Sequence, residues 1–197
     1  MTVPAALEQA ESPPDWDAVF GFSGPLELEI GSGHGGFASA YASKYPTIRL
    51  VAIEKRRKYA NETATRAQRR GLQNVTVLCA DAQFVVPRLF VPGSLAAVHI
   101  HFPDPWWKRK HYRRRLVTDR FAEMLFEKLG RGGYVDARTD VDERALEIAR
   151  AFESCGFENT KGEFAFADRD VEEVPSSREV RYLASGQKVY RLKLRKP

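Results

Sequence analysis

Apolar positions along the chain fall into two alternating patterns. Short runs read as strands: LELEI at 26–30, IRLVAIE at 48–54, VTVLCA at 75–80, LAAVHIHF at 95–102 and YVDAR at 134–138. Between them lie segments whose apolar residues recur at helical spacing: FASAYASKY, a long basic stretch after residue 54, AQFVVPRLF, and a helix from about Thr118 to Leu129. Strand followed by helix, repeated, is the pattern of a parallel sheet covered on both faces. After the fifth strand the sequence TDVDE opens another helix, with Thr139 or Asp140 as candidate cap and carboxylates suited to a first turn. The tail changes character, and FENTKGEFAFA and QKVYRLKLR predict an antiparallel pair joined by a polar loop. The expected fold is therefore doubly wound α/β, a mostly parallel seven-stranded sheet with an antiparallel C-terminal strand. Residues 1–14 lack apolar periodicity and read as a flexible lead-in, with one domain over 15–197.

A hydrophobic content of 43% suffices for one substantial core. No apolar run approaches the roughly 18 residues of a membrane span, and the first ten residues show no basic-then-apolar leader, so the expectation is a cytoplasmic protein with no membrane partner. Cys79 and Cys155 are far apart and form no CxxC pair, which argues against a zinc cluster or a disulfide framework. The net charge of +5 is modest, but the cations are clustered, and clustering matters more than the sum.

LELEIGSGHGG places a strand directly before Gly31, Gly33, Gly35 and Gly36 and a helix directly after them. Glycines permit a tight turn and close approach of backbone to a ligand at a helix N-terminus, the Rossmann-like arrangement, although a plain strand-to-helix turn uses glycines too. The neighbouring acids add to the case. Glu54 ends the second strand near the spacing at which a carboxylate reaches ribose hydroxyls, and Asp81 ends the third. In a doubly wound sheet the strand tips meet one crevice, where Glu29, Glu54 and Asp81 converge unless each merely caps a helix or ends a strand in solvent. A dinucleotide competes for such a pocket, but its pyrophosphate favours a helix N-terminus free of negative charge. Glu29 favours instead a cationic ligand without phosphate, such as S-adenosyl-L-methionine.

The most informative stretch is FPDPWWKRKHYRRR, residues 102–115, delivered by the fourth strand to the mouth of that crevice. Pro103 and Pro105 stiffen the turn around Asp104. Trp106 and Trp107 offer stacking surfaces or core anchors. Lys108, Arg109, Lys110, Arg113, Arg114 and Arg115 put six cations into eight residues, a phosphate-binding footprint. A second basic strip (Lys55, Arg56, Arg57, Lys58, Arg66, Arg69, Arg70) follows the second strand and reads first as a charged outer helix face. His99 and His101 share a strand face; without a third ligand at suitable spacing they read as packing or hydrogen-bonding residues, and no metal is expected.

LEIGSGHG, IEKR, FPDPWWKRKHYRRRL and RTDVDE together resemble the bacterial tRNA (guanine-N7)-methyltransferases over nearly all of the chain from Leu26. The FPDPW turn with its basic run is specific to that family, whereas the glycine motif is widely shared. The resemblance implies a class I S-adenosyl-L-methionine-dependent enzyme acting on tRNA, methylating N7 of a guanine in the variable loop. It implies cofactor contacts at Glu29, Gly31, Gly33, Glu54, Asp81 and Asp104, with Asp104 also catalytic. Substrate contacts are implied at Lys108, Asp140, Ser176 and Glu179, alongside Trp106, Arg113 and Arg114 from the loop. The family's Thr-Lys-Phe-Glu segment is matched here by Ser176, Ser177, Arg178 and Glu179, so the hydroxyl and the final acid persist while the middle pair departs. Other readings of the same residues are a methyltransferase for an exocyclic amine, a nicotinamide-dependent reductase, or a non-catalytic RNA-binding module. Oligomeric state, monomer or homodimer, is not legible in the sequence.

Overall fold

The computed structural model describes residues 5–104, 106, 110 and 115–197. Its strands are β1 (Leu26–Ile30), β2 (Arg49–Ile53), β3 (Val75–Leu78), β4 (Leu95–His101), β5 (Leu129–Thr139), β6 (Glu158–Asn159) and β7 (Tyr190–Arg195). They form one seven-stranded sheet in the order β3-β2-β1-β4-β5-β7-β6. β1 to β5 pair in parallel, and β7 runs antiparallel to both neighbours, as the strand pattern predicted. Helices α1 (Ala5–Gln9), α2 (Trp16–Phe20), α3 (Gly36–Lys44), α4 (Arg57–Arg69), α5 (Ala82–Leu89), α6 (Asp119–Lys128), α7 (Asp142–Glu153) and α8 (Ser177–Ala184) complete the architecture. No helix among the described residues is long and apolar enough to cross a membrane.

Alternation along each strand divides the sheet into unlike faces. Leu26, Leu28 and Ile30 of β1 join Val98, Ile100, Val135, Ala137, Leu192 and Leu194 in one apolar layer, packed against Val86 and Leu89 of α5, Leu125 of α6, and Ile148 and Phe152 of α7. Asp15 caps α2 by accepting from the Asp17 and Ala18 amides, and Trp16 then stacks on Phe90 with centroids 5.1 Å apart. On the other face, alanines of α3 and α4 lie close against Leu50, Ala52, Val75 and Val77. Beyond α3 that same face turns polar, with Glu27, Glu29, His99, Asp136, Arg138 and Arg191 all buried.

Buried charges persist only when paired. Arg138 donates to Asp136 and to Glu179, each at 2.6 Å, and Arg191 Nε donates to Glu179 at 2.9 Å. Lys193 lies 2.8 Å from Glu173 and 3.2 Å from Asp136. Burial alone would raise the Asp136 carboxyl, but a hydrogen bond from His101, the nearby His99 ring and the Arg138 charge hold it well below the usual carboxylate range.

The structure corrects three local expectations. Neither Thr139 nor Asp140 caps α7; Val141 occupies that position without a side-chain cap, while Thr139 Oγ1 accepts from the Val141 amide and Asp140 accepts from Tyr182 Oη. β6 is two residues long, because Asn159 turns the chain, its carbonyl accepting from Gly162 and its amide donating to Ala165. The polar loop before β7 contains α8, started by a reciprocal cap in which Ser176 Oγ accepts from the Glu179 amide and Glu179 Oε2 from the Ser176 amide. The lead-in carries α1, whose Glu8 accepts from the Cys79 amide at 2.8 Å and pairs with Arg57.

Because Glu179 both caps α8 and neutralises two buried guanidinium groups, Glu179→Ala should cost about 3–5 kcal/mol of stability, read as a lowered denaturant midpoint. A loss typical of a surface substitution, under about 0.5 kcal/mol, would contradict this role.

Candidate active site

The strand order reverses between β1 and β4, and the tips of β1 to β5 open onto the crevice this creates. After β1, the Gly31 and Ser32 amides donate to the Ile53 carbonyl at 2.8 and 3.2 Å, tying the glycine turn to β2. Gly33 sits at φ 53°, where side chains are disfavoured, and its amide donates to Glu54 Oε2 at 2.9 Å. The other Glu54 oxygen accepts from the Arg56 amide at 2.8 Å, so one carboxylate braces the turns after β1 and β2 together. Gly36 has no room for a Cβ because Ser177 Oγ of α8 occupies that space. α8 thus rests directly on the glycine turn.

Glu29 is buried at the end of β1, and its Oε2 has no hydrogen-bond partner. Burial pushes its carboxyl up to about 8, with His99 lowering it and Glu54 raising it in smaller measure. Asp81, by contrast, is engaged: it caps α5 by accepting from the Gln83 amide at 3.1 Å and pairs with Lys55 at 2.7 Å. Glu29, Glu54 and Asp81 therefore stand on neighbouring strand tips, and Glu29 is the one with a buried oxygen that no hydrogen bond satisfies.

After β4 the chain is forced into the left-handed region at Phe102, φ 52°, and again at Trp106, φ 47°. Asp104 between them is exposed, its carboxylate 3.9 Å from Arg56. Trp106 is half-buried. Lys108, Arg113, Arg114, Trp107 and Pro105 lie outside the described residues. Arg115, one of the six cations of the basic run, pairs with Glu147 of α7 at 2.9 Å. α8 closes over the β4 tip: Tyr182 meets Phe102 edge-on at 5.6 Å, Arg178 lies 5.6 Å over the same ring, and Tyr182 Oη donates to Asp140 at 2.9 Å. Ser176 and Glu179, expected on the substrate, have side chains engaged in starting α8 and in fixing it to β5 and β7.

His99 and His101 do gain a third neighbour, Asp136 of β5, with one potential ligand atom on each within 4.8 Å of the others. Arg138 and Lys193 already bring two positive charges onto that carboxylate, so the trio forms part of an ion-pair network. Spacing along the sequence could not have signalled Asp136, since it arrives by strand pairing.

The sequence family described as "Putative methyltransferase" matches residues 23–192. The tRNA (guanine-N(7)-)-methyltransferase of Myxococcus xanthus is 56% identical, the match covering 95% of this chain and 91% of that protein. The protein of the same name from Anaeromyxobacter dehalogenans is 54% identical over 92% and 90%. The chain belongs to the tRNA (guanine-N(7)-)-methyltransferase family. Among solved structures the 16S rRNA methyltransferase KamB superposes with a TM-score of 0.65 at 17% identity, over 96% of both chains, a likeness of fold. A phosphoethanolamine N-methyltransferase from Haemonchus contortus, solved with S-adenosyl-L-methionine, gives 0.56 at 19% identity, covering 94% of this chain and 54% of that one.

The crevice fits the cofactor class of this family. An orphaned, buried carboxylate oxygen at a glycine turn suits an ammonium or sulfonium group and suits a pyrophosphate poorly. Holding a proton to about 8 that the unfolded chain loses near 4.5, Glu29 contributes stability that is present in acid and lost as pH rises through that window. Glu29→Gln should flatten this decline in urea titrations of ligand-free protein at about pH 5, 6.5 and 8; an unaltered pH slope would show that Glu29 does not hold the proton.

Proposed function

We propose that the protein transfers a methyl group from S-adenosyl-L-methionine to N7 of a guanine in tRNA, in the cytoplasm and in the variable loop of the substrate. The observation that carries the reading is Glu29, a buried acid with an unfilled oxygen beside the glycine turn, in a chain of this family. The cofactor, when bound, supplies an electrophilic methyl on a positively charged sulfur. Glu29 would face its cationic end, Gly31 and Gly33 would let the backbone approach, and Glu54 and Asp81 line the adjoining strand tips.

Guanine N7 offers an in-plane lone pair and carries no proton, so no general base is needed at the attacking atom. What the protein must supply is alignment, a class of effect worth up to about 7 to 11 kcal/mol in favourable intramolecular cases. Asp104 is free to do this: its only ion pair among the described residues is a 3.9 Å contact with an exposed Arg56, easily exchanged for the N1–H and N2–H donors of guanine. The same carboxylate offsets positive charge developing on the purine as the methyl arrives. Asp140, hydrogen-bonded by Tyr182, would contact the substrate nucleotide, and Trp106 would stack on an exposed base. Lys108, Arg113 and Arg114 would grip flanking phosphates, while Ser176 and Glu179 act by seating α8.

Incubation with labelled S-adenosyl-L-methionine and unmodified tRNA should yield labelled 7-methylguanosine, and label on an exocyclic amine would refute the assignment. Asp104→Ala should lower turnover by at least about a hundredfold, while tRNA retention on filters survives. Near-normal turnover in that variant would remove Asp104 from the chemistry. Neutralising Arg113 and Arg114 should weaken tRNA binding and reduce its salt slope by about 0.9 per lost phosphate contact; an unchanged slope would place the RNA elsewhere.

A further inference from the structure

Strand pairing places four ionisable residues side by side across the polar face of the sheet. Glu29 of β1 is in register with His99 of β4, His99 with Asp136 of β5, and Asp136 with Lys193 of β7. Acid, base, acid, base alternate along this row, which starts at the crevice. His99 is enclosed: its side chain is 2% exposed, under the rings of Phe37 and Tyr41 at centroid distances of 5.1 and 4.7 Å, with Tyr134 at 6.2 Å. Its Nε2 lies 2.9 Å from Glu27 Oε2, and its Nδ1 faces Asp136 Oδ2 at 3.8 Å. Nε2 is hydrogen-bonded to Glu27, whereas Nδ1 is buried without a hydrogen-bond partner and lies within ion-pair reach of Asp136, so the two flanking carboxylates favour the imidazolium through their charge.

We propose that His99 is a positioning residue for the cofactor: its imidazolium, wedged between Glu27 and Asp136, biases the neighbouring Glu29 toward the carboxylate that a cationic ligand requires. The role rests on the reading of the crevice as an S-adenosyl-L-methionine site. Glu29 is in register with His99 of β4 and acted on by Glu54 just after β2, so His99 is the positive neighbour and Glu54 the negative one. His101 does not share the role, because burial drives it down to about 4, with Arg138 and His99 nearby, and leaves it neutral at pH 7. For His99, burial works against the proton, but Asp136 and Glu27 outweigh it and raise its titration point. A cationic ligand then binds with release of the Glu29 proton.

The test is calorimetry of S-adenosyl-L-methionine binding between about pH 6.5 and 9. For the native protein, affinity should rise with pH and level off near 8. His99→Gln should move the rise upward by about one pH unit, which is about tenfold weaker binding near neutrality, shrinking at alkaline pH. Glu29→Gln should abolish the pH dependence, and adding His99→Gln should change nothing further. A His99→Gln defect of equal size at every pH, or no defect, overturns the role. Should that variant fail to fold, nitrogen-15 resonances of the His99 ring in the native protein decide: both nitrogens protonated near pH 7 supports the proposal, and a neutral ring overturns it. No binding by native protein at any pH would instead overturn the cofactor reading itself, and this role with it.

Discussion

The constraint on which the rest of this structure depends is the burial of charge on one face of a β-sheet. Glu27, Glu29, His99, Asp136, Arg138 and Arg191 occupy positions where an ordinary doubly wound protein would place Val or Leu. Such a layer is stable only if each group finds an opposite charge or a hydrogen bond, and strand register arranges most of these matches. Arg138 carries the largest share, joining Asp136 in its own strand to Glu179 in α8 and to the Val174 carbonyl. Glu29 at the edge of the crevice keeps a buried oxygen without a hydrogen bond, as do the Nδ1 atoms of His99 and His101 within the layer.

The same network fixes the geometry around the crevice. α8 is only eight residues long, too short to hold its place by intrinsic helicity. It is kept by the Glu179 ion pairs beneath it and by Tyr182 and Arg178 against Phe102. Phe102 immediately follows β4 and adopts a left-handed conformation unusual for an aromatic residue. The contact with α8 is therefore also a support for the turn that presents Asp104. Backbone strain beside a reactive group, held by packing from a distant segment, is a common way to fix a carboxylate in an exposed position.

Much of this was legible in the sequence, and the exceptions have physical causes. Strand-helix alternation and the LELEI and LAAVHIHF periodicities sufficed for the sheet, because period-two burial leaves a direct trace in the chain. Glu54 at the glycine turn was readable from spacing, since strand tips in a parallel sheet necessarily adjoin. For Asp81, read first as a cofactor contact with a helix cap as the alternative, the structure shows the cap at that tip. The partner of His99 and His101 was invisible because Asp136 comes from another strand, and pairing distance has no counterpart along the chain. α8 was missed although Ser176 and Glu179 have capping-box spacing, because the resemblance to a substrate-binding segment absorbed those residues. Arg115 was grouped with its basic neighbours because a run of cations does not reveal which one folds back to Glu147.

The contact between Gly36 and Ser177 extends beyond local packing. The serine hydroxyl stands where a methyl group at position 36 would have to go, so two residues separated by most of the chain share a single volume. A methyl at 36 would require the Ser177 hydroxyl to turn away and its Cβ to give by a few tenths of an ångström. Drift at these two sites is thus coupled by excluded space, and the C-terminal segment is kept in step with the glycine turn by steric exclusion as well as by attraction.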